Sequence, residues 1–353
     1  MKEKWYVFVT ALMIAVFVFA GNIVLAAQKP TTVAELALYK GADRQQILEE
    51  GAKKEGKLVY YTTGILKGSI RPFVAFFEKR YPYIKVEIWR AESFTLTPRV
   101  REEYRSGKYF VDVIEASPNP QLIFRELGLT QPFYSPGLAY IEEGAITKAP
   151  SGGAFSVAFR LSDIGIGYNP KLITMEELPK TYQDLLAPKW KGKIPIPGTN
   201  TGLVWMATIL EAYGEEFVKK VADQNFILHS ISAKALLDLI IAGEYPFSPA
   251  LYCPHVKNSK WNGAPVDWAH LEPVYVSITQ VCLPKYAPRP HAAMLFIDSF
   301  FSKEMAEIQN ATGYVSTRKG ATAKTAYKKF YGARSTKQIK QWMDIWTKYF
   351  LKR

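Results

Sequence analysis

Five places in the sequence join an apolar run to small hydroxyl or amide residues and then to a helical pattern, and ligand chemistry would gather at such places. Residues 57–70, KLVYYTTGILKGSI, end a β-type run in Thr62, Thr63 and Gly64, with Ser69 just ahead of a helix. Arg90 and Ser93 follow VEIW, Ser117 and Asn119 follow VIEA, Thr199, Asn200 and Thr201 follow IPIPG, and Ser230 and Ser232 follow FILH. Tyr252 closes a further short strand pattern. A strand that runs out into a helix N-terminus leaves backbone N–H groups and hydroxyls directed at open space, which is the donor set an anion uses. One such opening is explained as a helix cap. Five of them, spread over two separate strand–helix series, read as parts of one binding surface.

Catalytic patterns are missing from the sequence. No GxSxG, HExxH or Cys/His arrangement occurs, and His229, His255, His270 and His291 are scattered. With no CxxC or zinc-type spacing, neither a metal cluster nor a cofactor is expected. Cys253 and Cys282 are the two cysteines, and they are either a disulfide or two buried thiols.

The elements that must position these residues follow from the apolar periodicity. After a helix over 42–54, strands over 58–62, 84–89 and 111–115 alternate with helices over 70–80, 96–106 and 120–127. Strands separated by helices of this length imply βαβ units on a parallel sheet, whose ligands collect beyond the carboxyl ends of the strands. A second such series begins at IGIGYNP and runs through the strand end at Pro197 to Tyr252. An apolar strand region, LEPVYVSITQVCLP, and a helix pair follow. At the end, Ile339, Trp342, Met343, Trp346, Tyr349 and Phe350 form one helical stripe, which reads as a docked surface helix.

At the other end, Lys2 and Lys4 precede an apolar run closing in Leu25, Ala26 and Ala27, so residues 1–27 read as a cleaved signal peptide, with an uncleaved anchor as the competing reading. Export to the periplasm follows. Removing that segment lowers the formal net charge from +13 to +12, because it carries Lys2, Lys4 and Glu3. The remaining chain exceeds what one hydrophobic core usually serves, so two lobes are expected. The basic excess concentrates at Arg318, Lys319, Lys324, Lys328, Lys329 and Arg334, a solvated face or an attraction for anions or a membrane surface. Nucleic acid is not an expected partner, since no recognition motif is present.

Taken together, GAKKEGKLVYYTTG, FEKRYPYIKVEIWRAES, GKYFVDVIEASPN, IGIGYNPKLI, GAPVDWAHLEPV and RPHAAMLFIDSFFS resemble the extracellular solute-binding proteins of ABC importers, in the subgroup associated with ferric iron. The likeness covers roughly residues 38–320. It implies an α/β fold of the two-lobed type II class, each lobe a mixed, mainly parallel sheet flanked by helices, closing on a small-molecule ligand. It also implies a monomer that delivers its ligand to an inner-membrane permease. Residues 28–160 and 270–318 would form the first lobe, and residues 161–269 and 319–353, with the C-terminal helix, the second. Thr199, Asn200 and Thr201 would be the second lobe's anion-holding helix start, followed by Ser230 and Ser232, with Tyr252 as its ligand tyrosine.

Where iron-binding members carry adjacent tyrosines, this chain reads Leu251-Tyr252-Cys253, and no histidine lies close to Tyr61-Thr62-Thr63-Gly64. Tyr60 and Tyr61 are adjacent but sit on opposite faces of a strand. The expected ligand is therefore a carboxylate, phosphonate or other oxyanion, held by Thr62, Thr63, Ser69 and Arg90 from one lobe and Thr199 to Thr201 from the other. Ferric iron through Tyr252 is the alternative ligand. An exported enzyme and a ligand-presenting sensor are the alternative functions.

Overall fold

The computed structural model describes residues 29–320, 329–330 and 335–351. The expected signal peptide lies outside the described residues, as do Lys324, Lys328 and Arg334 of the basic cluster. No described helix is long and apolar enough to cross a membrane.

The chain starts with α1 (Val33–Leu38), closed by a capping box between Thr32 and Glu35, and α2 (Arg44–Glu55). Gly56, at φ 68°, ends α2 in the left-handed region and turns the chain into β1 (Lys57–Thr62). A π-helical turn over Leu66–Ile70 then leads into α3 (Arg71–Arg80). Next come β2 (Lys85–Arg90), α4 (Ser93–Arg105), β3 (Val113–Ala116) and α5 (Pro118–Glu126). β1 pairs in parallel with both β2 and β3, so these three strands run in one direction and their carboxyl ends share one edge.

Two short strands, β4 (Thr130–Gln131) and β5 (Ile146–Lys148), precede β6 (Ala154–Tyr168). β6 has 15 residues, about 50 Å at the usual rise per strand residue. The second series comprises β7 (Pro195–Pro197), α6 (Asn200–Tyr213), α7 (Glu215–Ala222), β8 (Ile227–His229), α8 (Ala233–Ala242), β9 (Phe247–Tyr252), α9 (Cys253–Trp261) and β10 (Asp267–Ala269). The chain then returns along β11 (Val274–Pro284) to α10 (Pro290–Phe300), α11 (Lys303–Ala311) and β12 (Val315–Ser316), and ends in β13 (Lys329–Phe330) and α12 (Thr336–Trp346).

A single sheet runs β10–β6–β11–β3–β1–β2, with β7 and β8 forming a separate parallel pair. β6 and β11 are the two crossings. They pair antiparallel from Tyr275↔Ile164 to Val281↔Val157, with a register irregularity between Thr279 and Gln280. One end of this ribbon joins β3, and the other end of β6 joins β9 and β10.

Each lobe buries its own core. In the first, Tyr60, Phe73, Phe77, Phe296 and Phe300 pack together on one face of the sheet, and Tyr61, Leu96, Val100 and Phe124 on the other. The adjacent tyrosines thus do point apart, as period-two geometry demands. The second lobe gathers Tyr182, Ile196, Trp205, Met206 and Phe247, sealed by Trp342, Ile345, Trp346 and Phe350 of the C-terminal helical segment. The stripe therefore docks as expected, except that Met343 is exposed. Cys253 and Cys282 are both free and buried.

Candidate ligand-binding site

Thr63, Gly64, Arg90, Glu92, Ser93 and Ser117 from the first lobe, Asn200, Thr201, Ser232, Lys234, Tyr252 and His255 from the second, and Arg160, Ser162, Ser277 and Thr279 from the crossing strands line one cleft. The space in which a water centre can sit is about 70 Å³.

The N-termini of α4, α5, α6, α8 and α9 all open onto it. Only α8 is capped by its own side chain, with Ser232 Oγ accepting from Ala235 N at 3.2 Å. Glu92, Ser117, Thr199 and Tyr252 hold the N-cap positions of the other four helices without bonding their amides. Uncapped first turns carry free N–H donors and the positive end of the helix dipole. The contributions are unequal, because Pro118 and Pro120 remove two donors from α5. For α6 the fit is tight. A Cβ on Gly202 would fall 2.0 Å from the Pro197 carbonyl oxygen, so glycine is what lets this helix start directly beyond β7.

The lining carries three cations, Arg90, Arg160 and Lys234, each with a carboxylate partner: Glu92, which also lines the cleft, Glu115 beneath it, and Asp238 one turn along α8. Burial, together with the charges of Lys234, Arg160 and Arg90, lowers the pKa of His255 to about 3, so the ring is neutral at physiological pH. Burial also raises the Tyr252 and Tyr314 hydroxyls, which keeps both as protonated O–H donors. Tyr252 OH accepts a long bond, 3.5 Å, from Thr201 Oγ1, and its ring meets His255 edge-on at 5.1 Å. Ser93 and Ser117 face each other at 3.2 Å.

Of the residues expected from the sequence, Thr63, Arg90, Ser93, Ser117, Asn200, Thr201, Ser232 and Tyr252 meet here, and Thr62, Ser69, Asn119 and Thr199 are not part of the lining. Thr62 and Ser69 face inward. Thr62 Oγ1 donates to Glu115 Oε2 at 3.0 Å and accepts from Gly64 N at 2.9 Å, and Ser69 Oγ accepts from Arg160. Buried Glu115 needs donors and Arg160 an acceptor, and the Thr62 and Ser69 hydroxyls are spent on these two. Asn119 Oδ1 and Thr199 Oγ1 are buried without partners among the described residues.

Sequence reasoning missed Glu92, Arg160, Lys234, His255 and Tyr314, as well as the alternate residues Ser277 and Thr279 of β11. A signal existed for Arg160: a charge within the apolar run SVAFRLS needs a partner, and Glu115, in VDVIEAS, is a matching charge in another apolar run. No group of three or more His, Cys, Asp or Glu side chains that would hold a metal occurs among the described residues.

A polar cleft between two α/β lobes joined by a two-stranded crossing, with helix N-termini entering from both sides, defines a type II solute-binding protein. The family model for bacterial extracellular solute-binding proteins matches residues 110–333, and the chain belongs to that family. Its fold is similar to that of the periplasmic binding protein AfuA from Actinobacillus pleuropneumoniae, at 21% identity and TM-score 0.70 over 85% of this chain and 100% of that one. Iron-bound HitA from Pseudomonas aeruginosa is similar at 17% identity and TM-score 0.66, over 82% and 99%. An uncharacterized protein of Haemophilus influenzae is 25% identical over 201 residues, which span 54% of this chain and 58% of that protein.

Proposed function

We propose that this chain is the solute-binding component of an ABC importer, acting as a monomer in the periplasm, and that its ligand is a small anion of the carboxylate, phosphonate or other oxyanion type. In this reading residues 28–160 and 270–318 make one lobe and residues 161–269 and 319–353 the other. A ligand that bridges them favours the closed form, which an inner-membrane permease then engages.

One observation carries the reading: four helix N-termini without side-chain caps open onto a cleft that also holds Arg90, Arg160 and Lys234, and whose one lining carboxylate among the described residues, Glu92, is bonded to Arg90. Each N-terminus is worth about 0.3–1 kcal/mol to an anion, and each hydrogen bond to a charged group about 1.5–3 kcal/mol. A handful of them reaches the roughly −8 kcal/mol of micromolar binding. AfuA, bound to exogenous fructose-6-phosphate, is consistent with an anionic cargo.

Ferric iron is the second reading, and it has one observation in its favour. Tyr314, far from Tyr252 in the chain, lines the same cleft and supplies the second tyrosine that the local sequence lacks. Iron wants several hard anionic oxygens on one point, whereas here burial keeps both tyrosines protonated and Arg90 occupies Glu92.

Calorimetry with inorganic phosphate, methylphosphonate, simple organic acids and ferric citrate, read beside an absorption spectrum, separates the two. Heat from an anion without a visible band is the expected result. A tyrosinate-to-iron band that disappears in Tyr252→Phe overturns the anion reading. Ligand-dependent stimulation of a cognate permease and ATPase in vesicles distinguishes an importer subunit from a sensor.

A further inference from the structure

Arg160 is only 3% exposed, yet it lines the cleft. Its guanidinium donates through Nη2 to Glu115 and through Nη1 to Ser69, and it lies under the Tyr314 ring with its Cζ 4.6 Å from the ring centroid. Its Nε has no hydrogen-bond partner among the described residues. Glu115 already accepts from three donors. One of its oxygens takes Arg160, and the other accepts from Tyr60 and Thr62. The loop closes directly over the pair, since a Cβ on Gly64 would come within 2.8 Å of Arg160 Nη2.

A planar guanidinium has five N–H donors, and leaving buried, charged donors unmatched is costly. The backbone placement adds a second point. Arg160 sits on β6, facing Thr279 of β11 and Ser316 of β12, next to the register irregularity in the crossing ribbon. Bulges at such places re-aim side chains.

We infer that Arg160, oriented by Glu115, is the specificity-determining cation of the cleft, taking the phosphoryl or carboxylate group of the ligand at the crossing between the lobes. This rests on the anion reading above. The lobes contribute their helix N-termini around a charge fixed where they join, so an anionic group is selected over a neutral solute of the same size.

The test uses the full chain, with inorganic phosphate and methylphosphonate as probes. Arg160→Met leaves Glu115 buried without its cation and risks misfolding. The double variant Arg160→Met/Glu115→Gln removes both charges and keeps the binding question answerable. The expected result is a folded double variant whose anion affinity is lower by about 30-fold or more, with Arg160→Lys in between, because an ammonium keeps the charge but loses the planar fork. A double variant that folds and binds either probe within threefold of the parent overturns the assignment while leaving the anion reading intact. A parent protein that binds none of the anions overturns both.

Discussion

Replacing Tyr252 by Phe removes one oxygen from the wall of the cleft and leaves the ring, with its edge-on contact to His255, in place. In the free protein that oxygen is joined to Thr201 Oγ1 by a bond of 3.5 Å, at the outer limit of hydrogen-bond geometry. Losing so weak a bond costs less than about 1 kcal/mol, which for a chain of this size shifts Tm by about 2 °C or less. The bound state is different. Burial holds the phenol protonated, so it enters the complex as a donor, and a donor to an anionic oxygen is worth about 1.5–3 kcal/mol. The dissociation constant should therefore rise roughly 10- to 150-fold. Calorimetry with whichever small anion the parent binds, read beside thermal unfolding of the ligand-free protein, gives both numbers. An affinity change below threefold, or a stability loss that accounts for the whole affinity loss, refutes the donor role and makes Tyr252 a packing residue.

Three further outcomes are expected. Burial pushes the Glu115 carboxyl up to about 7 from its ordinary 4.5, so between those values the folded chain keeps a proton that the unfolded chain releases. The anion-free protein should then lose stability as pH rises through that window, and Glu115→Gln should flatten this part of the Tm–pH curve. Trp342 is fully buried in the second lobe's core, and Trp342→Ala should lower unfolding free energy by about 3–5 kcal/mol, read as a lower urea midpoint. Gly202→Ala forces a methyl against the Pro197 carbonyl, costs about 1–3 kcal/mol, and should weaken anion binding as well, since Asn200 and Thr201 move with the helix start.

The fold was legible because alternation of apolar runs with helical periods is a local signal. β1, β2, β3 and the helices between them fall within a few residues of their expected places, and so does the docking of Trp342 and Trp346. The cleft was legible at its helix starts, where Ser93, Ser117, Asn200, Thr201 and Ser232 announce themselves as cap-type residues. It was not legible where two distant segments meet. Whether the hydroxyls of Thr62 and Ser69 face a ligand or a buried partner depends on Glu115, from the third strand, and Arg160, from the first crossing. Tyr314 enters from the turn after α11, with no local pattern to mark it. Lys234 and His255 lie inside first turns, and there a charge or a ring reads as an ordinary helix surface.

β6 and β11 are structural members of both lobes at once. Val157 and Phe159 sit in the first core and Ile164 and Ile166 in the second, on one uninterrupted strand, and β11 repeats the arrangement with Tyr275 in the second core and Val281 in the first. The one sheet that both lobes share runs through these two strands, so melting one lobe strips the other of its central pairings. The two lobes should therefore unfold in a single transition. Where a flexible linker would let two lobes melt separately, these paired strands make folding cooperativity a property of the junction itself.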